Sequence, residues 1–442
     1  MTHNDVSSRP KSDKKPLAAA SVGQFVEWYD FSIYGLSAVA LGQVFFPSGN
    51  PAVALLSTFA VFAAGFLTRP LGAFVFGAMG DRVGRQRVLV ITLILIGAAT
   101  TSMGLLPTFD QIGVAATIFL VALRLLQGFS AGGESSGSLS FVYEHAPENK
   151  KATWTAVVAS MAAWPTVAAL LLVTTLSTVM PESMYMEWGW RVPFWLALPL
   201  TLVSLYIRTQ TEETPEFKRM QREGTREARP MASAFRNQWR GMLQVFVMIA
   251  LMSITYYLMV AYYVNYLQTE LEFSRSAALA SNLFAVAVLA TGYIVCGRIA
   301  DRVGKQRMLR LGAFLLILVP VPSFLLLTSG NFMLAILGQL AMAIATSIYG
   351  GGLYAWMVER FPASNRFSGV SVSYNLAYSL VGGTTPFVAT LVIQVTGVDI
   401  APAFPLVIFA AGVSAFLAFR AANARKGEAL DAARAPKTGS RV

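Results

Sequence analysis

Twelve apolar runs follow one another along this chain, and each is long enough to cross the hydrocarbon core of a bilayer. A crossing helix needs roughly 20 mainly apolar residues. Read by hydropathy, the runs are 18–46, 53–79, 88–107, 112–142, 153–179, 190–208, 241–267, 277–299, 308–328, 331–358, 368–396 and 401–421. Lipid offers no hydrogen bonds to the backbone, so runs of this length predict helices. Several exceed a minimal span, which predicts tilt. Of the 442 residues, 13% are charged, against about 25% in a soluble domain. The expected fold class is therefore all-α: a polytopic membrane protein of twelve transmembrane helices in two pseudo-symmetric six-helix bundles. The first run is too long for a signal peptide and carries Glu27 and Asp30, so it reads as a retained helix.

The net charge of +11 is distributed by loop. Arg82, Arg85 and Arg87 follow the second run, Lys150 and Lys151 the fourth, and Lys218, Arg219 and Arg222 the sixth. Arg302, Lys305 and Arg307 follow the eighth, and Arg360 and Arg366 the tenth. The alternate loops are nearly bare. This pattern reads as a topology signal, not a nucleic-acid footprint, and places both termini in the cytoplasm of a cell with the protein in its inner or plasma membrane. The predicted organisation is a tail over 1–17, a six-helix bundle over 18–208, a linker over 209–240, a second bundle over 241–421 and a tail over 422–442. Within the linker, Thr214, Pro215 and Glu216 predict a capped surface helix. His145 reads as a solvated histidine at a loop edge. The lone cysteine, Cys296, excludes an intrachain disulfide and reads as a packed residue.

One loop occurs twice. Gly77-Ala78-Met79-Gly80-Asp81-Arg82-Val83-Gly84-Arg85-Gln86-Arg87 follows the second run, and Gly297-Arg298-Ile299-Ala300-Asp301-Arg302-Val303-Gly304-Lys305-Gln306-Arg307 follows the eighth. The copies stand 220 residues apart, at the same place in each half. Such spacing marks a duplicated transporter. The glycines permit tight turns and close helix approach. Asp81 and Asp301 are suited to accept hydrogen bonds at the N-terminus of a neighbouring helix. Gly77, Asp81, Arg82, Gly84 and Arg85, with Gly297, Asp301, Arg302 and Gly304, are thus expected to latch the halves together as a gate. A purely topogenic basic loop would need no such register of Asp and Gly.

Charges within the runs require a partner or a wet cavity. Glu27 and Asp30 share a helix face, with Tyr34 one turn on. Two nearby carboxylates raise each other's proton affinity, as proton coupling requires. A structural pair bonded to Arg124 or Arg69 is the other reading. Arg124 offers a planar fork suited to a substrate carboxylate or to Asp30. Glu134 lies too far along the same helix to meet Arg124 and is assigned to proton handling or interhelical bonding. Arg69 precedes Pro70 and reads as a kink-shaping residue. In the second half Tyr256, Tyr257, Tyr374 and Asn375 are candidate cavity residues. The chain shows no phosphate-cradling glycine loop, no metal-ligand cluster and no catalytic Ser/His/Asp set, so neither an enzyme nor a cofactor is expected.

Further stretches carry a resemblance. They are Gly23-Gln24-Phe25-Val26-Glu27-Trp28-Tyr29-Asp30-Phe31, Arg69-Pro70-Leu71-Gly72, Arg124-Leu125-Leu126-Gln127-Gly128-Phe129-Ser130-Ala131-Gly132-Gly133-Glu134 and Glu212-Glu213-Thr214-Pro215-Glu216-Phe217. With the repeated loop, they resemble the major facilitator superfamily. Within it they are similar to the metabolite:proton symporter family, whose carriers take 2-oxoglutarate, citrate, shikimate, aromatic acids, and proline or betaine. Ser135 and Ser136 stand where that family often has an aromatic and a glycine. The resemblance implies secondary transport by alternating access, driven by the proton gradient, with a monomer as the functional unit in contact with membrane lipid. A small organic acid is the first expected substrate, because Arg124 can meet a carboxylate. A zwitterionic osmolyte such as proline or betaine is the second, held by cation–π contact with the tyrosines. A non-transporting membrane solute sensor is the alternative of another class.

Overall fold

The computed structural model describes residues 14–47, 50–269, 271 and 273–417. The tail read as 422–442 lies outside these residues, as does most of that read as 1–17. Among the described residues the secondary structure is helical throughout.

Spans 1 to 6 run Lys15–Leu36 with Ala38–Phe45, Pro51–Val83, Arg85–Leu105, Val114–His145, Lys151–Ser160 with Trp164–Val179, and Val192–Thr209. Spans 7 to 12 begin with Pro230–Tyr257, Arg275–Val303, Lys305–Leu318 with Pro320–Leu327, Phe332–Glu359 and Arg366–Ala377. The twelfth includes the apolar helix Ala403–Leu417. Span 9 bends by 46° at the break before Pro320, whose ring cannot continue the ladder of hydrogen bonds. Spans 7 and 11 each contain a π turn, at Leu258–Tyr262 and Tyr378–Gly382. Large apolar side chains such as Leu67, Leu71, Phe119 and Leu202 are exposed on the outer surface, as lipid-facing positions are.

Span 7 starts well before the predicted residue 241. Arg236 and Arg240 lower the hydropathy there, but the helix simply extends past the apolar zone, with Pro230 in its first turn. The linker helix forms as Pro215–Glu223, and Thr214 Oγ1 accepts from the amide of Phe217 at 3.3 Å.

Small residues set how closely the spans approach. Span 2 packs along span 4, and span 8 along span 10. A Cβ on Gly128 would lie 1.9 Å from the Gly65 carbonyl, and one on Gly132 2.2 Å from the Arg69 carbonyl. Any side chain at these positions would push span 4 off span 2. The two halves meet through matching contacts, span 2 with span 11 and span 8 with span 5. The Asp81 and Asp301 turns sit at these two junctions, on one face of the molecule, here called the basic face.

Candidate functional site

The site is built where spans 1, 2 and 4 converge. Glu27 and Asp30 on span 1, Arg69 on span 2, and Arg124 and Glu134 on span 4 are all fully buried. Each answers its burial differently. Glu27 accepts from Arg69 Nη2 at 2.7 Å and from Ser135 Oγ at 2.6 Å. Arg69 Nε also donates to Asn375 Oδ1 at 3.2 Å, and Asn375 Nδ2 donates to the Gly132 carbonyl at 2.8 Å. Arg69 therefore ties Glu27 to the second half of the molecule and is not merely a kink residue. Asn375 is the residue through which span 11 reaches it.

Asp30 and Arg124 do not touch directly. Thr100 Oγ1 donates to Asp30 Oδ2 at 2.7 Å, Gln127 Nε2 donates to Thr100 Oγ1 at 2.7 Å, and Arg124 Nη1 donates to Gln127 Oε1. The carboxylate and the guanidinium are the ends of a polar chain. The Arg124 guanidinium lies over Phe31, Tyr34 and Phe62, at 4.4, 4.5 and 4.7 Å from their ring centroids. Its Nε and Nη2 are buried and have no hydrogen-bond partner among the described residues; Asp30 Oδ1 is in the same position. Such a half-satisfied network is costly unless another group completes it.

Glu134 is fully engaged. It pairs with Arg208 at the end of span 6 and accepts from Thr92 Oγ1 at 2.8 Å and Ser138 Oγ at 3.0 Å. The assignment of Glu134 to interhelical bonding thus has its partner, and that partner escaped the sequence reading. Arg208 closes an apolar run and looks like an ordinary residue at the membrane edge.

Phe31, Phe62 and Phe66 also line a cavity of about 380 Å³ together with Trp28, Tyr256 and Tyr257. Its outer wall, with Leu36, Phe59 and Val264, comes from span ends remote from the Asp81 and Asp301 turns. The cavity thus opens away from the basic face. Trp28 stands edge-on to Tyr256 at 5.6 Å and to Tyr378 at 6.3 Å, and Tyr374 stacks on Tyr378 at 4.5 Å. Of the predicted tyrosines, Tyr256 and Tyr257 line the cavity. Tyr374 sits behind Tyr378 and Tyr34 beneath Arg124.

The basic face is closed. Asp81 accepts from the amides of Phe367 and Ser368 at 3.2 and 2.8 Å, capping span 11. Asp301 accepts from the amides of Ala152 and Thr153 at 2.8 and 2.9 Å, capping span 5. Each half therefore caps a helix of the other. Gly84 and Gly304 hold φ of 116° and 101°, a region side chains rarely enter. Gly77 packs against Ser368 of span 11 and Gly297 against Ala156 of span 5. Arg85 lies 3.2 Å from Asp81 and 3.4 Å from Glu144, and Arg366 reaches Glu144 at 2.9 Å. Arg82 and Arg302 project as exposed side chains. The Tyr143 ring lies under both Lys151 and Arg366, at 4.6 and 5.6 Å. His145 differs from the expectation of a solvated side chain: it is half-buried, with Nδ1 3.0 Å from the Phe141 carbonyl.

A family model described as Major Facilitator Superfamily matches residues 20–386. The chain belongs to the major facilitator superfamily. Members of this superfamily are transporters, and the chain is an integral membrane transporter. Among its relatives is a "Proline/betaine transporter" of Escherichia coli (strain K12), 33% identical over 414 residues, covering 90% of this chain and 81% of the relative. An "Ectoine/proline transporter ProP" of Corynebacterium glutamicum is 32% identical, covering 96% of this chain and 88% of the relative. The fold is also that of the proton:xylose symporter XylE bound to 6-bromo-6-deoxy-D-glucose, with a TM-score of 0.74 at 15% identity over 92% of this chain and 94% of that one.

Within this major facilitator fold, sequence reading found the charged residues of the centre but not their connectors. Thr92, Thr100, Gln127 and Ser135 are small or neutral polar residues inside apolar runs. Ser135 stood out only as a departure from the family pattern, and the other available signal is spacing. Gln127 lies three residues after Arg124, and Ser138 four after Glu134, on shared helix faces.

Proposed function

We infer that this chain is a proton-coupled symporter of a zwitterionic osmolyte of the proline or betaine type, working by alternating access. The observation that carries the reading is Arg124, caged by aromatic rings beside the cavity with two guanidinium nitrogens unpartnered. A planar fork in that position suits a carboxylate. The rings of Trp28, Tyr256 and Tyr257 suit the cationic end of the same molecule. The names of the relatives, proline/betaine and ectoine/proline transporters, support this substrate class. They move the zwitterion ahead of the simple organic acid, whose second charge would lack a cationic partner in the cavity.

Coupling follows from the Asp30–Arg124 chain. With Asp30 ionised, its charge offsets that of Arg124 through Thr100 and Gln127. A proton on Asp30 removes that offset and leaves Arg124 to attract the substrate carboxylate. Proton and substrate then favour each other's binding, the condition for symport. Glu27 and Glu134 already hold arginines and act here as positioning partners. The loaded halves rock, the Asp81 and Asp301 latches part, and the basic face opens. The positive-inside rule supports a cytoplasmic assignment of that face, with the protein in the inner membrane, and the monomer is taken as the transport unit.

Proteoliposomes test this. Labelled betaine and proline should accumulate under an inward proton gradient, and citrate should not. Accumulation that survives collapse of the gradient removes the coupling. Binding without accumulation indicates a sensor. Asp30→Asn should abolish gradient-driven accumulation while sparing exchange, and Arg124→Lys should raise the KM for betaine at least about tenfold.

A further inference from the structure

The internal repeat allows one half to be read against the other. In the first half, the N-terminus of span 3 is occupied. Glu213 Oε1 accepts from the amides of Arg85 and Gln86 at 3.1 and 3.3 Å. Arg85 lies against Phe217 of the linker helix, 5.2 Å from its ring centroid. A carboxylate and a helix thus cover the first copy of the loop.

At the equivalent place in the second half, no carboxylate or helix takes that position among the described residues. The amides of Lys305 and Gln306, which match those of Arg85 and Gln86, take no side-chain acceptor among the described residues. They border a pocket of about 710 Å³, lined also by Lys151, Arg302, Arg307 and Arg310. Arg302 and Arg307 make no ion pair among the described residues. Three acids share the wall: Asp301 caps span 5, Glu359 pairs with Lys305 at 2.5 Å, and Glu148 with Lys151 at 2.7 Å.

A second feature lies along the same helix. Span 8 and span 10 frame an apolar groove of about 460 Å³, lined by Phe284, Val288, Val295, Cys296 and Ile344. Its stripe continues through the exposed side chains of Ile299 and Val303. Val303 borders the basic pocket as well. From Val295 to Arg302 the rise is about 10 Å. An apolar trough that ends in a cationic cup fits a molecule with an acyl chain and a phosphate.

We propose that this pocket binds the headgroup phosphate of an anionic phospholipid, whose acyl chain lies in the groove between spans 8 and 10. The phosphate takes the place that Glu213 holds in the first half, on the Lys305 and Gln306 amides, among Arg302, Arg307 and Arg310. The lipid thereby supplies the cover that the linker helix provides on the other side.

The test uses purified full-length protein in detergent and native mass spectrometry. It is titrated with dioleoylphosphatidylglycerol, dioleoylphosphatidylcholine, inorganic phosphate and glycerol 1-phosphate. The expected result is a retained phosphatidylglycerol adduct, weaker phosphatidylcholine binding, and no displacement by millimolar inorganic phosphate. Arg307→Gln with Arg310→Gln should weaken phosphatidylglycerol binding roughly tenfold. Arg219→Gln with Arg222→Gln removes the same charge from the linker helix and should leave binding unchanged; thermal unfolding checks that both variants are folded. Equal loss in both double variants would mean diffuse surface attraction and overturn the site. Equal retention of the two lipids would overturn it too. Displacement by inorganic phosphate or glycerol 1-phosphate would assign the pocket to a free anion and overturn the lipid.

Discussion

The two copies of the repeated loop fold alike but bind with unequal grip. Around Asp81 the ionic partners are arginines and buried acids, and they cross between the halves: Arg366 of the second half meets Glu144 of the first, and Arg85 Nη2 donates to the Ala363 carbonyl at 2.5 Å. Around Asp301 the partners are lysines, partly exposed, and each pairs within its own half, Lys305 with Glu359 and Lys151 with Glu148. Only the carboxylate of Asp301 itself crosses, onto the start of span 5. A duplicated element has thus kept its helix cap twice and its cross-half ion pairs once. Buried, hydrogen-bonded pairs are expensive to break from one side, at about 3–5 kcal/mol, whereas exposed pairs contribute up to about 1 kcal/mol.

The comparison can be broken by experiment. The readout is thiol labelling from the basic face of Ser371→Cys in a Cys296→Ser background, since Ser371 Oγ lies 2.8 Å from Ser136 Oγ across the closed junction. Asp81→Asn should give the largest rise in labelling, because it takes one oxygen from the cap of span 11 and one of the two carboxylates that face buried Arg85, a shift of about 3 kcal/mol. Asp301→Asn should come next, near the ~1 kcal/mol of a lost helix cap. Glu359→Gln should change labelling least, by under about 1 kcal/mol, and high salt should mimic it without reaching the Asp81 cluster. Equal effects at Asp81 and Glu359 would dissolve the distinction. A larger effect at Asp301 than at Asp81 would reverse it.

The order of these effects was not legible in the sequence, although the elements were. Apolar run length marked the spans, although it set the start of span 7 too late, and the spacing of Asp81 and Asp301 from the glycines told which residues cap a neighbour. The identity of the neighbour depends on packing between halves. Arg366 therefore looked like a loop charge, and Glu144 drew no assignment. Arg208 stayed hidden for a related reason, since a cation at the end of an apolar run normally reaches for water, and only the close approach at Gly23 lets it turn inward to Glu134. A Cβ on Gly23 would overlap the Arg208 guanidinium. The π turns in spans 7 and 11 had no signal, because composition does not distinguish a wide turn from a regular one.

Tyr143 offers its ring to a lysine on span 5 and an arginine on span 11. A single ring whose quadrupole attracts cations from opposite halves is a contact to both of them. The stronger and the weaker junction therefore share one aromatic contact, which spans both halves of the molecule.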